Sequence, residues 1–456
     1  MLSIFALFDQ PGNLDFWSDL SNSNCTVNSS ILIKGFLTEL TPKNTFKERY
    51  YCLSNFSFLR AKTDNQPFTK VSSLKWKVIE PFIEEGSKSK KYGFRVTQGA
   101  LCRHFYTNFP DDLDNWLTCL SKIGIMTDIK NDYDFKKVLG AGTFAQVYLA
   151  TQVETSQDYA VKSIEKALIQ TKKNFLLLVN EIEILRTLNH PNIIKLHGIY
   201  ESEHHVHMVL DYAQGGDLLH RILNKGPLTE ENAAKLMRNL LKVLEYLQTK
   251  NVVHRDIKLE NILFVSDNND YKIKLSDFGL ACFIDADLTQ SCGSPGYVAP
   301  EILKRRPYGS KVDIFSAGVV LYILLSGRAP FSGKTQKETL IRNRDCSILF
   351  PKEFWKNISR QAIDAILFLA RSQPKMRPNA KEALGCEWFK KYFPNINAMR
   401  KTASLSNLQV QLLTKFEVSV KEIIKQRRHS CFESNSKIKK PLEKSASFKR
   451  NIVSKP

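Results

Sequence analysis

From Ile31 the chain alternates apolar and polar positions in short runs closed by turn residues: Ile31 to Leu40, Arg49 to Leu53, Phe56 to Arg60, Lys75 to Ile83, Tyr92 to Thr97 and Leu101 to Thr107. A period of two between turn signals predicts a series of antiparallel strands. The period then changes. Behind Pro110 and an acidic first turn, Leu113, Trp116, Leu117 and Leu120 recur at helical spacing, so one amphipathic helix ends the region. Residues 1–30, rich in Ser and Asn with scattered aromatics, are expected to form an irregular leader. A second domain is expected from Asp134 to Phe393, β-rich as far as Leu210 and mostly helical beyond it. Residues 394–456 form a tail rich in Lys, Arg and Ser, with a helical stretch from Leu408 to Gln426 that gathers Leu412, Leu413, Phe416, Val420, Ile423 and Ile424 on one face. Polar, basic composition predicts disorder for about the last 25 residues.

Composition narrows the function. Of 456 residues, 43% are hydrophobic and 25% charged, which excludes a wholly disordered or collagen-like chain. A net charge of +20 favours an anionic partner: nucleotide, membrane surface, acidic protein or nucleic acid. No motif for nucleic acid accompanies the charge. The nine cysteines are odd in number and scattered without a CxxC pair, so neither a disulfide framework nor a zinc ribbon is indicated, and a reducing cytoplasm is expected. The apolar start, Met1 to Phe8, lacks a basic flank and meets Asp9 too soon for a signal peptide, and the run Ala317 to Leu325 is too short to span a bilayer.

The candidate chemistry lies in the second domain. Gly140-Ala141-Gly142-Thr143-Phe144-Ala145-Gln-Val147 falls between two apolar runs, where glycines let backbone N–H groups approach phosphate; by itself the pattern reads more readily as a hairpin turn. Tyr159-Ala160-Val161-Lys162 puts a lysine inside an apolar strand, where an unpaired ammonium is costly and demands an anion. Glu181 opens a helical run whose apolar face turns it towards Lys162. His254-Arg255-Asp256-Ile257-Lys258-Leu259-Glu260-Asn261, Asp277-Phe278-Gly279 and Ala299-Pro300-Glu301 follow in order.

Residues 134–393 thus resemble a complete eukaryotic protein kinase domain, a bilobal α+β fold with a small lobe over 134–210 and a large lobe over 213–393. Lys258 gives it a serine/threonine character. His190-Pro-Asn-Ile-Ile, Gly215-Gly216-Asp217-Leu218, Gly296-Tyr-Val-Ala-Pro-Glu301 and Tyr322-Ile-Leu-Leu-Ser-Gly-Arg-Ala-Pro-Phe331 are similar to the calcium/calmodulin-dependent kinase group. The resemblance implies ATP and Mg²⁺ as cofactors. It implies that Lys162, paired with Glu181, holds the α- and β-phosphates, that Asn261 and Asp277 bind the metal, that Asp256 accepts the substrate proton and that Lys258 steadies the γ-phosphate. Leu139 and the glycine loop, Val147, Ala160 and Leu263 would enclose the adenine and phosphates, with a hinge around Asp211 to Ala213, Leu210 as gatekeeper and Asp217 near the ribose. Asp217, Glu260 and Ser294 would face the peptide substrate, favouring basic residues near its Ser or Thr. Glu301 with Arg377, and Asp313, would anchor the large lobe.

Four positions depart from the family pattern. Ala145 replaces the third glycine, Phe315 stands where Trp is usual, Ser294 replaces Thr, and Gln290 occupies the place of the activating phosphothreonine. Thr289 and Ser291, the nearest acceptors, are each displaced by one residue. With every catalytic group present, an active enzyme is expected; the alternative is a catalytically silent, lipid-recruited pseudokinase scaffold.

Residues 31–124 resemble a pleckstrin-homology domain, a small antiparallel β-barrel with a C-terminal helix, on Lys34-Gly35-Phe36-Leu37, Arg49-Tyr50-Tyr51-Cys52-Leu53 and Trp116; a small barrel of another family is the alternative. Lys34, Lys47 and Arg49 match a phosphoinositide-binding spacing, which predicts recruitment to membranes, against protein docking as the competing role. Residues 408–428 form a basic amphipathic helix suited to calmodulin, a membrane or the chain's own kinase domain. Ser430, behind Arg427 and Arg428, is expected to be a regulatory phosphorylation site. The domain order resembles that of protein kinase B, without its hydrophobic C-terminal motif.

Overall fold

In the first barrel, alternation sends Leu37 and Glu39 of one strand, and Tyr51 and Leu53 of the next, into the interior, where all four are buried. The computed structural model describes residues 3–5, 16–20, 31–54, 57–85, 90–99, 101–142, 145–169, 171–284 and 288–394. Its first strands are β1 (Ser18–Asp19), β2 (Ile31–Leu40), β3 (Phe46–Ser54), β4 (Ser57–Ala61), β5 (Lys70–Ser73), β6 (Val78–Glu85), β7 (Lys90–Gln98) and β8 (Leu101–Thr107), followed by helix α1 (Pro110–Leu120). They pair antiparallel in the order β1-β5-β4-β3-β2-β8-β7-β6. Helix α1 buries Leu113, Trp116 and Leu120. Trp116 meets the rings of Phe58 and Phe94 at centroid distances of 6.0 and 6.4 Å, which packs the helix onto the barrel.

Two expectations need correction. The leader is not wholly irregular: β1 pairs with β5, Phe16 is buried, and Trp17 donates Nε1–H to Glu39 at 2.9 Å. Phe5 is also fully buried, stacked on Trp76 at 5.0 Å. The apolar area of these aromatics offsets the cost of ordering polar chain around them. The strand expected from Lys75 to Ile83 begins only at Val78. Trp76 has φ 69°, a left-handed turn between β5 and β6 that no alternation pattern reveals.

The short link holds strand β9 (Ile125–Met126) and helix α2 (Ile129–Asp132). β9 pairs in parallel with β6 of the barrel and with β13 (Leu196–Glu201) of the small lobe, so one 14-stranded sheet runs through both domains. A buried cluster follows the same path, from Phe58 and Trp116 through Ile123, Met126 and Ile129 to Tyr133, Tyr159 and Tyr200. The small lobe consists of β10 (Tyr133–Ala141), β11 (Ala145–Gln152), β12 (Asp158–Glu165), α3 (Lys172–Thr187), β13 and β14 (His205–Asp211). The large lobe begins with α4 (Leu218–Lys225) and α5 (Glu230–Thr249), and carries the hairpin β16 (Ile262–Phe264) with β17 (Ile273–Leu275) between two further short strands, β15 (Val252–Val253) and β18 (Cys282–Phe283). Helices α6 (Pro300–Leu303) and α7 (Lys311–Ser326) follow. The apolar run Ala317 to Leu325 lies within α7, whose residues from Val312 to Ser326 are all buried. It is a core helix, and among the described residues no helix is long and apolar enough to cross a membrane.

Candidate active site

The cleft between the lobes collects the expected groups. β12 pairs with β11 and β14, which fixes Ala160 beside Leu149 and Leu210, and Lys162 beside Val147 and Met208. Lys162 Nζ lies 2.7 Å from Glu181 of α3 and 3.8 Å from Asp277. Burial alone would pull this ammonium down; Glu181 and Asp277 carry it above the ordinary lysine range, so it stays charged. Asp277 is crowded by protein yet half open to the cleft, and Lys162, then His254, hold its carboxyl below the usual range against that crowding. Its φ of 55° turns the backbone so that Phe278 is fully buried, edge-on to His254 at 4.8 Å.

Asp256 is the centre of a second group. Its Oδ1 accepts from Ser294 Oγ at 2.7 Å, its Oδ2 pairs with Lys258 Nζ at 2.9 Å, and Asn261 Nδ2 donates to Oδ2 at 3.2 Å and to its carbonyl at 2.8 Å. Lys258 also donates to Ser294 Oγ at 3.0 Å. The backbone under this loop is held by buried Asp313, which accepts from the N–H groups of His254 and Arg255 at 2.8 and 2.9 Å. Burial raises the Asp313 carboxyl, and His254 and these amides oppose the rise. Arg377 meets Glu301 at 2.7 Å with both side chains buried, the expected anchor.

The glycine loop joins β10 to β11, with Gly140 opposite Val147 and the Gly142 amide donating to the Ala145 carbonyl at 2.8 Å. Thr143 and Phe144 lie outside the described residues. Leu139 is exposed at the rim. Leu263 lies on β16 and bridges Asp217. Two of the expected ligand residues have side-chain partners within the protein. The Asp211 carboxylate takes His197 Nε2 at 2.7 Å, Lys274 Nζ at 2.8 Å and the Lys195 amide at 3.0 Å, tying the hinge to both lobes. Despite burial, these partners hold it well below the usual carboxylate range. Ala213, two residues on, is half-buried. Asp217 caps α4 through His220 N–H at 2.8 Å and pairs with His220 Nδ1 at 2.7 Å, whereas Glu260 is exposed.

The donors suit Mg²⁺. Asn261 commits its amide nitrogen to Asp256, which leaves its oxygen to face a cation, and Asp277 adds a half-exposed carboxylate. Among the described residues no group of three or more His, Cys, Asp or Glu forms a protein-only cage. One carboxylate and one amide completed by phosphate oxygens and water is the coordination Mg²⁺ accepts.

Arg255 has a neutral partner. Its Nε donates to the Leu280 carbonyl at 2.7 Å, and its NH1 reaches Gln290 Oε1 at 3.4 Å and Tyr308 Oη at 3.2 Å. Tyr308 in turn donates to the Gln290 carbonyl at 2.6 Å. Thr289 is exposed, and Ser291 turns its hydroxyl to the Ile302 carbonyl. Neither expected acceptor is among the hydrogen-bond partners of Arg255.

The lipid residues do not converge. In the β2–β3 register Leu37 faces Arg49 and Glu39 faces Lys47, whereas Lys34 faces Cys52, on the opposite side of the sheet. Parity separates Lys34 from the other two. Glu39, on their face, is buried and binds Arg60 at 2.7 Å, Tyr51 at 2.9 Å and Trp17. The tail helix at 408–428 and Ser430 lie outside the described residues. Sequence reasoning missed the contacts of Lys75, Trp76, Glu183 and Arg186 between the domains; buried Trp76 beside two lysines was the signal available.

Family comparison agrees with this geometry. Residues 133–389 match the protein kinase domain and residues 31–124 the PH domain. A probable serine/threonine-protein kinase 2 of Plasmodium falciparum is 40% identical over 281 residues, which cover 61% of this chain and 54% of that protein. Calcium/calmodulin-dependent protein kinase type 1 of Macrobrachium nipponense is 40% identical over 267 residues, 58% of this chain and 77% of its own length. Myosin light chain kinase A of Dictyostelium discoideum is 39% identical over 269 residues, 58% of this chain and 90% of its own. The chain belongs to the protein kinase family, in its serine/threonine branch and similar to the calcium/calmodulin-dependent kinases, with a PH domain ahead of the kinase domain.

Proposed function

We propose that this chain is an active enzyme that transfers the ATP γ-phosphoryl group to Ser and Thr hydroxyls of proteins. The observation that carries the reading is the simultaneous presence of the Lys162–Glu181 pair at 2.7 Å and the Asp256–Lys258–Ser294 cluster. ATP with Mg²⁺, when bound, supplies the phosphoryl group and neutralises its charge. Lys162 would hold the α- and β-phosphates, Asp277 and Asn261 the metal, and Lys258 the γ-phosphate. Asp256 would orient the hydroxyl and accept its proton. Exposed Glu260 favours substrates with Arg or Lys near the acceptor, because opposite charge directs docking. Asp256→Asn should leave nucleotide affinity intact and lower turnover about 10²- to 10⁴-fold, with Lys162→Met as an inactive control. Undiminished turnover in both would overturn these roles, and absence of phosphate transfer to a basic peptide by the parent would establish the silent scaffold instead.

The accessory regions extend the proposal. A cytoplasmic enzyme drawn to anionic membranes is supported by the PH match and the charge of +20, with Lys47 and Arg49, not Lys34, on the contact face. The tail would inhibit in cis until Ser430 is phosphorylated or calmodulin takes residues 408–428, a role suggested by the names of the relatives. Binding of the whole chain to phosphoinositide vesicles, with and without Arg49→Ala, tests the first. Truncation after Phe393 tests the second, since equal basal activity of both forms excludes an inhibitory tail.

A further inference from the structure

Helix α3 carries Glu181, so whatever holds this helix decides whether Lys162 keeps its anion. At about 100° per residue, Phe175, Arg186 and Glu183 lie at about 120°, 140° and 200° from Glu181 around the helix. All three meet the N-terminal region. Glu183 forms an ion pair with Lys75, both side chains mostly withdrawn from solvent. Arg186 donates to the Gly124 carbonyl at 3.0 Å and lies 5.0 Å from the ring of Trp76. Phe175 lies 6.1 Å from Phe5, which is stacked on Trp76. Burial pulls the Arg186 guanidinium down to about 10 against the pull of Glu183, a mark of how closely this contact excludes water. Gly124 packs closely here, since a Cβ there would come within 2.2 Å of the Ile79 side chain, which would have to shift. Ile4 N–H and Ser3 Oγ both bind Glu201, which also pairs with Lys166 at 2.8 Å, so the leader grips the small lobe at a second point.

We propose that Lys75 and Trp76 of the PH domain, with Phe5 of the leader, are positioning residues for catalysis: they clamp the outer face of α3 and so keep Glu181 on Lys162. The PH domain then acts as a fixed support of the active small lobe. The continuous sheet through β9 makes that support rigid, because β6 and β13 are bonded to the same strand. This rests on the kinase reading above.

Charge exchange across the clamp tests it in the full chain. Lys75→Glu and Glu183→Lys each should lower kcat about tenfold, equivalent to about 1.4 kcal/mol, with the KM for peptide unchanged. The double exchange should return kcat to within about threefold of the parent, and equal thermal melting of the three variants and the parent separates this recovery from a change in fold stability. Amide hydrogen exchange within residues 172–187, measured on the same proteins, should quicken in each single variant and slow again in the double. Because exchange needs no turnover, it stands even if the parent proves inactive, and inactivity of the parent would count against the kinase reading alone. Lys75→Met, which removes the charge without reversing it, should give an intermediate rate and exchange. Single variants with parental kcat and exchange, or a double variant no better than the slower single, would overturn the clamp.

Discussion

Ser294 offers a sharp measurement of how the site is organised. Its hydroxyl donates to Asp256 Oδ1 at 2.7 Å and accepts from Lys258 Nζ at 3.0 Å, so one oxygen joins the proposed base to the proposed γ-phosphate ligand. Both bonds involve a charged partner, and such bonds contribute about 1.5–3 kcal/mol each. Asp256 is buried and keeps Lys258 and Asn261 after Ser294→Ala, so the loss should correspond to one bond rather than two. At about 1.4 kcal/mol per decade, kcat/KM for a basic peptide should fall between about tenfold and about 150-fold. Ser294→Thr keeps the hydroxyl and should stay within about threefold. Nucleotide affinity, measured by fluorescence titration, should be unaltered in both, because neither Lys162 nor Asp277 bonds to Ser294. Thermal melting of the variants separates this effect from loss of fold. A Ser294→Ala enzyme within twofold of the parent, equally stable, would refute the bridging role.

Two further outcomes follow from other contacts. Because the neutral Gln290 amide already meets Arg255, phosphatase treatment and the double change Thr289→Ala with Ser291→Ala should leave peptide phosphorylation within twofold, whereas Gln290→Ala should lower kcat by about twofold to tenfold, the worth of one neutral bond. A large loss on dephosphorylation would mean that a phosphate, not Gln290, orders this segment. His207 is buried between Ser163 Oγ at 2.8 Å and Ser202 Oγ at 3.3 Å, and burial, with His205, Lys130 and Lys166, pushes it from 6.5 down to about 4. Below pH 6.5 the unfolded chain binds a proton that the folded one refuses, so stability falls by about 3 kcal/mol as pH drops towards 4. Denaturant titrations at pH 7 and 4.5 should show a smaller loss for His207→Gln, and parallel losses in the two proteins would exclude His207 as a source.

The chemistry was legible in the sequence because it is written in short, local spacings. Asp256, Lys258 and Asn261 share one loop, and Asp277 follows in its own triplet, so the family resemblance that implies phosphoryl transfer could be carried by short motifs. Both domains were legible too: the period-two runs from Ile31 and the face of Leu113, Trp116 and Leu120 reflect burial on one side of an element, which any sequence must encode. What the sequence left open depends on how distant elements meet. Lys34, Lys47 and Arg49 share a spacing motif, but only the pairing register decides that Lys34 points to the other face of the sheet. The partners of the Asp211 and Asp217 carboxylates, His197 with Lys274 and His220, come from tertiary packing and helix capping that no motif announces. Gln290 reads as the loss of a switch until Arg255 is seen to reach its amide. The joining of the domains lies furthest from the sequence: the ion pair of Lys75 and Glu183 spans 108 positions, and β9 bonds to strands on both sides of it. Period and motif report what a residue needs locally, and only the packed fold determines which distant partner meets that need.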